Sequence, residues 1–388
     1  MASEAWIGET LAPLAAKSLE RRPGVYPQAG GKIVVDGRPI LNFSSNDYLD
    51  LAGRPEMIAA SREALERYGC GATASRLVCG TLDLHRELEE ALAALKGYPR
   101  ALLFGSGFLT NVGLIPALVG REDHVFADKL VHASIIDGIL LSRANLQRFR
   151  HNDAEHLESL LRKCPAGGRR LVVTESVFSM DGDLAPLPAI TEAAVRHGAM
   201  CMVDEAHSTG IFGPGGSGLV REHALEDGVN VSMGTLSKAL GGYGGFVACS
   251  EALVRLLLNR TRAFIYTTGL PPAVVGGGLA ALRLLGEEAE LGTRLLANAA
   301  AFRQRLQDAG LDTGGSQSQI VPVIIGENRK ALEATERLKA KGLLAVAIRP
   351  PTVPEGTARL RLSVTLAHTP EDLQWAAEQV IETVAEVK

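Results

Sequence analysis

Three short segments of this chain carry residue types that can do chemistry, and each comes directly after an apolar run. Asp204-Glu205-Ala206-His207 follows AMCMV, Gly234-Thr235-Leu236-Ser237-Lys238 follows VNVSM, and Gly105-Ser106-Gly107-Phe108 follows ALLF. A lysine inside a small, apolar, glycine-rich turn is desolvated, which lowers its pKa and makes its amine a usable nucleophile. The plain alternative is a surface lysine in a flexible loop. An acid placed directly after a buried strand is strongly unfavourable unless it meets a cation, although a helix N-cap also uses one. A glycine-bearing turn feeding a helix offers free N–H groups and the helix dipole to an anion, and it is equally the form of an ordinary strand-to-helix turn. Together the three are what pyridoxal phosphate requires: a Schiff-base amine, an acid for the pyridine nitrogen and a phosphate turn. The 34 residues from Asp204 to Lys238 leave room for one crossover helix and one strand.

Two competing signals are weaker. Asp204 and His207 lack a third nearby ligand, so no metal site is expected. Gly213-Pro214-Gly215-Gly216-Ser217-Gly218 spells G-x-G-x-x-G, the only support for a nicotinamide oxidoreductase. It comes after the Asp-Glu-Ala-His segment instead of opening the first strand–helix unit, and it contains a proline. It reads as a glycine-rich surface loop.

The elements that must position these residues alternate between short apolar strands and helices. Residues 101–104, 171–173, 199–203, 229–233 and 245–249 read as buried strands, with helical patterns over 84–95, 109–119 and 187–197. Such alternation predicts a mostly parallel sheet covered on both faces. After about residue 285 the pattern changes. A long amphipathic segment (287–309) precedes strand candidates at 319–325, 343–348 and 358–366, and a helix from Pro370 closes the chain. The alternation in ARLRLSVTL predicts one solvated face for that last strand. The expected division is an N-terminal arm (1–45), a large α/β domain (46–285) and a smaller C-terminal α+β domain (286–388).

Composition bounds the function. The chain has 388 residues, 40 Lys plus Arg against 44 Asp plus Glu, and a net charge of −4. That balance lacks the basic stripe of a nucleic-acid binder. No apolar run reaches the roughly 18 residues of a membrane span. The N-terminus has acids and no basic leader pattern, so no secretory signal is expected. Five scattered cysteines without a CxxC pair fit a reducing cytoplasm. Glycine is abundant, 42 residues, and forms no low-complexity tract, so these glycines serve specific turns.

The segments 204–210 (DEAHSTG) and 234–242 (GTLSKALGG) resemble those of the α-oxoamine synthases, a family of the fold-type I, aspartate aminotransferase-like, pyridoxal phosphate enzymes. Supporting blocks are 41–49 (LNFSSNDYL), 104–111 (FGSGFLTN), 130–138 (LVHASIIDG), 174–183 (TESVFSMDGD) and 347–362 (AIRPPTVPEGTARLRL). The resemblance runs from about residue 19 to 375. It implies a decarboxylating condensation of an amino acid with an acyl thioester. Residues 348–359 are most similar to members that use L-alanine and a pimeloyl thioester (on CoA or an acyl carrier protein), with glycine and an acetyl thioester the main rival.

The resemblance also implies roles. Lys238 would hold the cofactor and move the α-proton. Asp204 would keep the pyridine nitrogen protonated, His132 would stack on the ring and meet substrate, and His207 would donate to the ring oxygen. Ser179, Thr235, Gly107 and Phe108 would place the cofactor. Thr267 and Thr268 would reach the phosphate in the partner subunit of a homodimer, making composite sites. Arg349, assisted by Asn46, would clamp the amino acid's carboxylate, and Arg21 and Thr352 would meet the acyl substrate. A regulator with a dead site is disfavoured by intact Lys238, Asp204 and His207.

Overall fold

The computed structural model describes residues 4–21, 23–26, 30–35 and 37–387. After a helix (Ala5–Ala16) come two hairpin strands, β1 (Lys32–Val35) and β2 (Arg38–Asn42). Seven strands then build one sheet: β3 (Arg100–Phe104), β4 (His124–Asp128), β5 (Asn145–Phe149), β6 (Arg170–Glu175), β7 (Met200–Asp204), β8 (Val231–Thr235) and β9 (Gly245–Cys249). Their order is β3-β9-β8-β7-β6-β4-β5, parallel except for β9. The core of this sheet takes one side chain from most of its strands: Leu102, Val125, Val173, Met202, Val231 and Val247, none more than 2% exposed. Full burial of such a side chain is worth about 1.5–3 kcal/mol. The short apolar runs make strands because both faces are covered.

Register decides what the sheet presents. Glu175 pairs with Asp204, and Asp204 pairs with Met233, so the carboxyl ends of β6, β7 and β8 lie level. Gly245 pairs with both Thr235 and Phe104. β9 therefore brings the carboxyl end of β3 to the same edge as that of β8. Ligands in open α/β sheets bind at this edge.

Several boundaries differ from the sequence reading. β4 and β5 were absent from it: HVFAD and NLQRF each carry charged or polar residues that break the apolar run. The segment expected over 287–309 holds one helix, Leu291–Asp308, and Glu287 ends a separate helix, Pro272–Glu287. The strand expected over 343–348 is two.

The chain divides into two compact units. The larger spans Leu49–Ser179 and Leu184–Arg294; the other takes the chain up to Tyr48, Met180–Asp183 and everything from Leu295. The expected N-terminal arm, where described, thus belongs to the smaller unit. The reason is pairing: β11 (Leu343–Leu344) adds to β2 in parallel, with Leu343 opposite Leu41. A second sheet in that unit orders β10 (Ile320–Gly326), β13 (Ala358–Ser363) and β12 (Val346–Ile348). β13 alternates as expected, yet all six of its residues are buried. Its polar face is covered because each arginine finds acceptors. Arg359 meets Asp181, and Arg361 reaches the Tyr48 hydroxyl (3.2 Å) and Ser363 Oγ (2.9 Å).

Two buried histidines make stability pH-dependent. In the larger unit His85 Nδ1 accepts the Leu82 N–H and Nε2 donates to the Leu270 carbonyl, each at 3.0 Å. In the smaller unit His368 stacks on Phe43 with ring centres 4.1 Å apart. Burial, helped by Arg76 at His85, pushes both pKa values down to about 4. The unfolded imidazole titrates near 6.5, so the unfolded chain takes up protons first as pH falls. Stability is fully present above about pH 6.5 and is lost toward pH 4, ~3 kcal/mol per group. Urea unfolding at pH 7 and pH 5 is expected to show the loss. His85→Gln, which keeps a donor and an acceptor, is expected to remove the His85 share of it and leave that of His368. A midpoint unchanged between the two pH values contradicts the assignment.

Candidate active site

The helix Gly107–Leu118 begins directly after β3, with Ser106 as its cap: Ser106 Oγ accepts the Leu109 N–H at 3.1 Å. Glycine lets this helix start lie against β9. A Cβ on Gly245 would stand 2.3 Å from Thr110 Oγ1 and 2.7 Å from the Gly107 nitrogen. A Cβ on Gly107 would lie 3.6 Å from Thr235 Oγ1, so the helix start and the end of β8 are neighbours. Thr235 Oγ1 donates to the Gly244 carbonyl and accepts from Ser237 Oγ, both at 2.7 Å. Phe108, in the first helical turn, is largely exposed.

Asp204, at the end of β7, is 5% exposed. One carboxylate oxygen accepts Asn111 Nδ2 (2.8 Å), the other the Ala206 N–H (2.9 Å). No ion pair reaches it among the described residues. Asn111 uses its second N–H on Ser134 Oγ (3.0 Å), and Ser134 Oγ donates onward to His132 Nδ1 (2.8 Å). His132 Nδ1 also accepts the Ser134 N–H (3.2 Å), so its neutral form carries the proton on Nε2. His132 is exposed and caps the helix Ala133–Ser142. Desolvation of its ring outweighs the pull of Asp204 and Asp137 and, with the Lys238 charge, lowers its pKa.

Lys238 follows β8 in a turn flanked by buried Leu236, Ala239 and Leu240. It is half-buried, less desolvated than its local sequence predicts, and its charge acts on both His132 and Glu175. His207 is buried in the turn after Asp204, and Ser179 is half-buried in the turn after β6.

The turn after Asp204 rests on a pair the sequence reading did not single out. Lys96, 1% exposed, bonds Glu205 Oε2 and the Ser217 carbonyl, both at 2.5 Å. Glu205 also accepts from Ser232 Oγ (2.8 Å) and the Val220 N–H (3.0 Å). The Gly213–Gly218 segment is consequently more than a surface loop: Gly216, Ser217 and Gly218 are buried around this pair. Gly218 has φ +100°, and a Cβ there would stand 2.4 Å from Glu205 Oε1. The spelling is structural packing.

Thr267 and Thr268 lie on a segment held by neighbours on both sides. Thr268 bridges to Ser75, the Gly269 N–H donates to the Ala74 carbonyl (3.0 Å), and His85 takes Leu270. Thr267 lies within the same subunit beside Gly105, where a Cβ would be 4.0 Å from its methyl.

In the smaller unit, Arg21, Arg349 and Thr352 line one cavity of about 380 Å³ together with Leu19, Ile348 and Pro350. Arg21 Nη2 donates to Thr352 Oγ1 (3.4 Å), and Arg349 donates to the Ser18 carbonyl. No carboxylate pairs with either arginine among the described residues. Burial, then the charge of Arg21, lowers the Arg349 pKa. Asn46, in the same unit, accepts at Oδ1 from Arg361 (3.2 Å) and from the Tyr48 hydroxyl (3.0 Å). Arg361 and Glu175 escaped the sequence reading because an alternating strand and an apolar run hid them.

The larger unit's residues fit pyridoxal phosphate. Asp204 is a buried acid with neutral donors only, suited to a protonated ring nitrogen; Lys238 offers an amine; the Gly107 helix start offers N–H groups to a phosphate, with Thr235 beside it.

Comparison with known proteins agrees. Residues 38–380 match the family described as aminotransferase class I and II. The 8-amino-7-oxononanoate synthase of Geobacter sulfurreducens is 51% identical over 349 residues, covering 89% of both chains. A serine palmitoyltransferase solved with pyridoxal phosphate is 34% identical with a TM-score of 0.93, covering 100% of this chain and 98% of that one. The 8-amino-7-oxononanoate synthase of Francisella tularensis is 29% identical with a TM-score of 0.78, covering 89% of this chain and 98% of that one. The chain belongs to the class I and II aminotransferase family and is a pyridoxal phosphate enzyme of fold type I.

Proposed function

We propose that this enzyme is an 8-amino-7-oxononanoate synthase, joining L-alanine to a pimeloyl thioester in biotin formation. A carbon–carbon bond forms between the alanine α-carbon and the thioester carbonyl. The carbon–sulfur bond breaks to release CoA or carrier-protein thiol, and the alanine carboxylate leaves as carbon dioxide. What carries the reading is a Lys238–Asp204–His132 constellation in a chain half identical to a curated synthase.

Pyridoxal phosphate, when bound, supplies an electron sink for a carbanion at the amino acid's α-carbon. Lys238 Nζ would hold it and, once freed by the incoming amino acid, would take the α-proton. Asp204 would hold a proton on the ring nitrogen, His132 would stack on the ring, and His207 would donate to the ring oxygen. Gly107, Phe108, Ser179 and Thr235 would seat the cofactor. Arg349, with Asn46, orients the alanine carboxylate by two parallel hydrogen bonds, and Arg21 and Thr352 serve the acyl chain.

A product assay tests the substrates, offering alanine, glycine and serine against pimeloyl, acetyl and palmitoyl thioesters. The serine palmitoyltransferase likeness in shape makes serine with palmitoyl thioester the rival to include. Fastest turnover is expected for alanine with pimeloyl; preference for another pair overturns the assignment. The working unit is a cytoplasmic homodimer in which Thr267 and Thr268 also serve the partner's phosphate. Light scattering is expected to give twice 41.1 kDa, and a monomer mass rejects composite sites.

A further inference from the structure

Glu175 has no part in the roles above, yet it lies among them. It ends β6, level with Asp204 on β7, and is 3% exposed. Its Oε1 accepts the His132 N–H at 2.5 Å, and no ion pair reaches it among the described residues. The groups acting on it are Asp204 and Asp128, which oppose its ionisation, and Lys238 and the His132 N–H, which favour it. Two buried carboxyls on adjacent strand ends do not both ionise readily, because each adds like charge to a site already short of water. Burial, reinforced by Asp204, raises the Glu175 pKa well above the carboxylate range.

His132 is consequently anchored twice. Its ring is set by Ser134, which is set by Asn111, which bonds Asp204. Its backbone is set by Glu175. We propose that Glu175 is a positioning residue for His132, acting through the reach of its hydrogen bond to the His132 N–H and not as a charge. The inference rests on the reading that His132 lies against the cofactor.

Two conservative variants separate length from charge. Glu175→Gln keeps the length and an acceptor and removes the ionisable acid. Glu175→Asp keeps the acid and withdraws it from the His132 N–H. The readouts are the pyridoxal phosphate dissociation constant of the apo-protein, by fluorescence quenching, and the circular dichroism of the bound cofactor's visible band. Glu175→Gln is expected to stay within about twofold of the parent, while Glu175→Asp loses about tenfold in affinity, the effect of one unmet buried donor. The visible dichroism of Glu175→Asp should change as well. The reverse ranking assigns Glu175 a charge role and overturns the proposal. His132→Phe is measured alongside. Altered dichroism in His132→Phe with both Glu175 variants silent overturns the proposal alone. An unaltered His132→Phe removes His132 from the cofactor and the proposal with it. Thermal melts of the apo-forms establish folding. If Glu175→Asp does not fold, Glu175→Gln decides, since a charge role predicts loss there and a hydrogen-bond role none.

Discussion

Lys238→Ala is expected to abolish turnover, by ~10⁴-fold or more, as for other residues whose side chain performs the chemistry. The fold should be untouched. Lys238 is half-buried in a turn, so truncation leaves no core cavity, and a melting temperature close to the parent's is expected. Borohydride reduction of the cofactor-loaded protein and subsequent peptide mapping should place the pyridoxyl mass on Lys238. The contrast is Lys96, the other lysine near the Asp204 turn, whose amine is committed to Glu205 and the Ser217 carbonyl. Label on Lys96, or on any lysine but Lys238, removes the basis for the proposed reaction.

Arg349→Lys is expected to weaken alanine binding by about 10- to 150-fold, equivalent to ~1.5–3 kcal/mol for a lost charged hydrogen bond. A guanidinium grips a carboxylate through two parallel bonds, which an ammonium cannot copy. The structure sharpens this expectation. An arginine kept for a structural ion pair would have an acid beside it, and Arg349 has none among the described residues; its bond goes to the Ser18 carbonyl. Its neighbour is a second cation, Arg21, and repulsion of that kind persists where an anion is to be received. The Michaelis constant for the pimeloyl thioester should change far less, and the cofactor's visible band should stay as it is. Equal losses for both substrates with a lowered melting temperature would return Arg349 to a structural role.

Five of the sheet's seven strands and the reactive residues were legible in the chain alone. The apolar runs 199–203, 229–233 and 101–104 read as buried strands, and a buried strand delivers the residues at its carboxyl end to the sheet edge. Lys238, Asp204 and the Gly105–Phe108 turn could therefore be read directly, since spacing and strand ends are local properties. Pairing between distant segments needed the folded molecule. Register set Glu175 level with Asp204, and Asn111 and Ser134 join Asp204 to His132 across 72 residues of chain. The burial of Arg359 and Arg361 on an alternating strand was likewise decided by Asp181, Asn46 and Tyr48, far away in sequence. A polar residue is solvated or buried according to the partners that reach it, and partners brought from other elements leave no local trace in the chain.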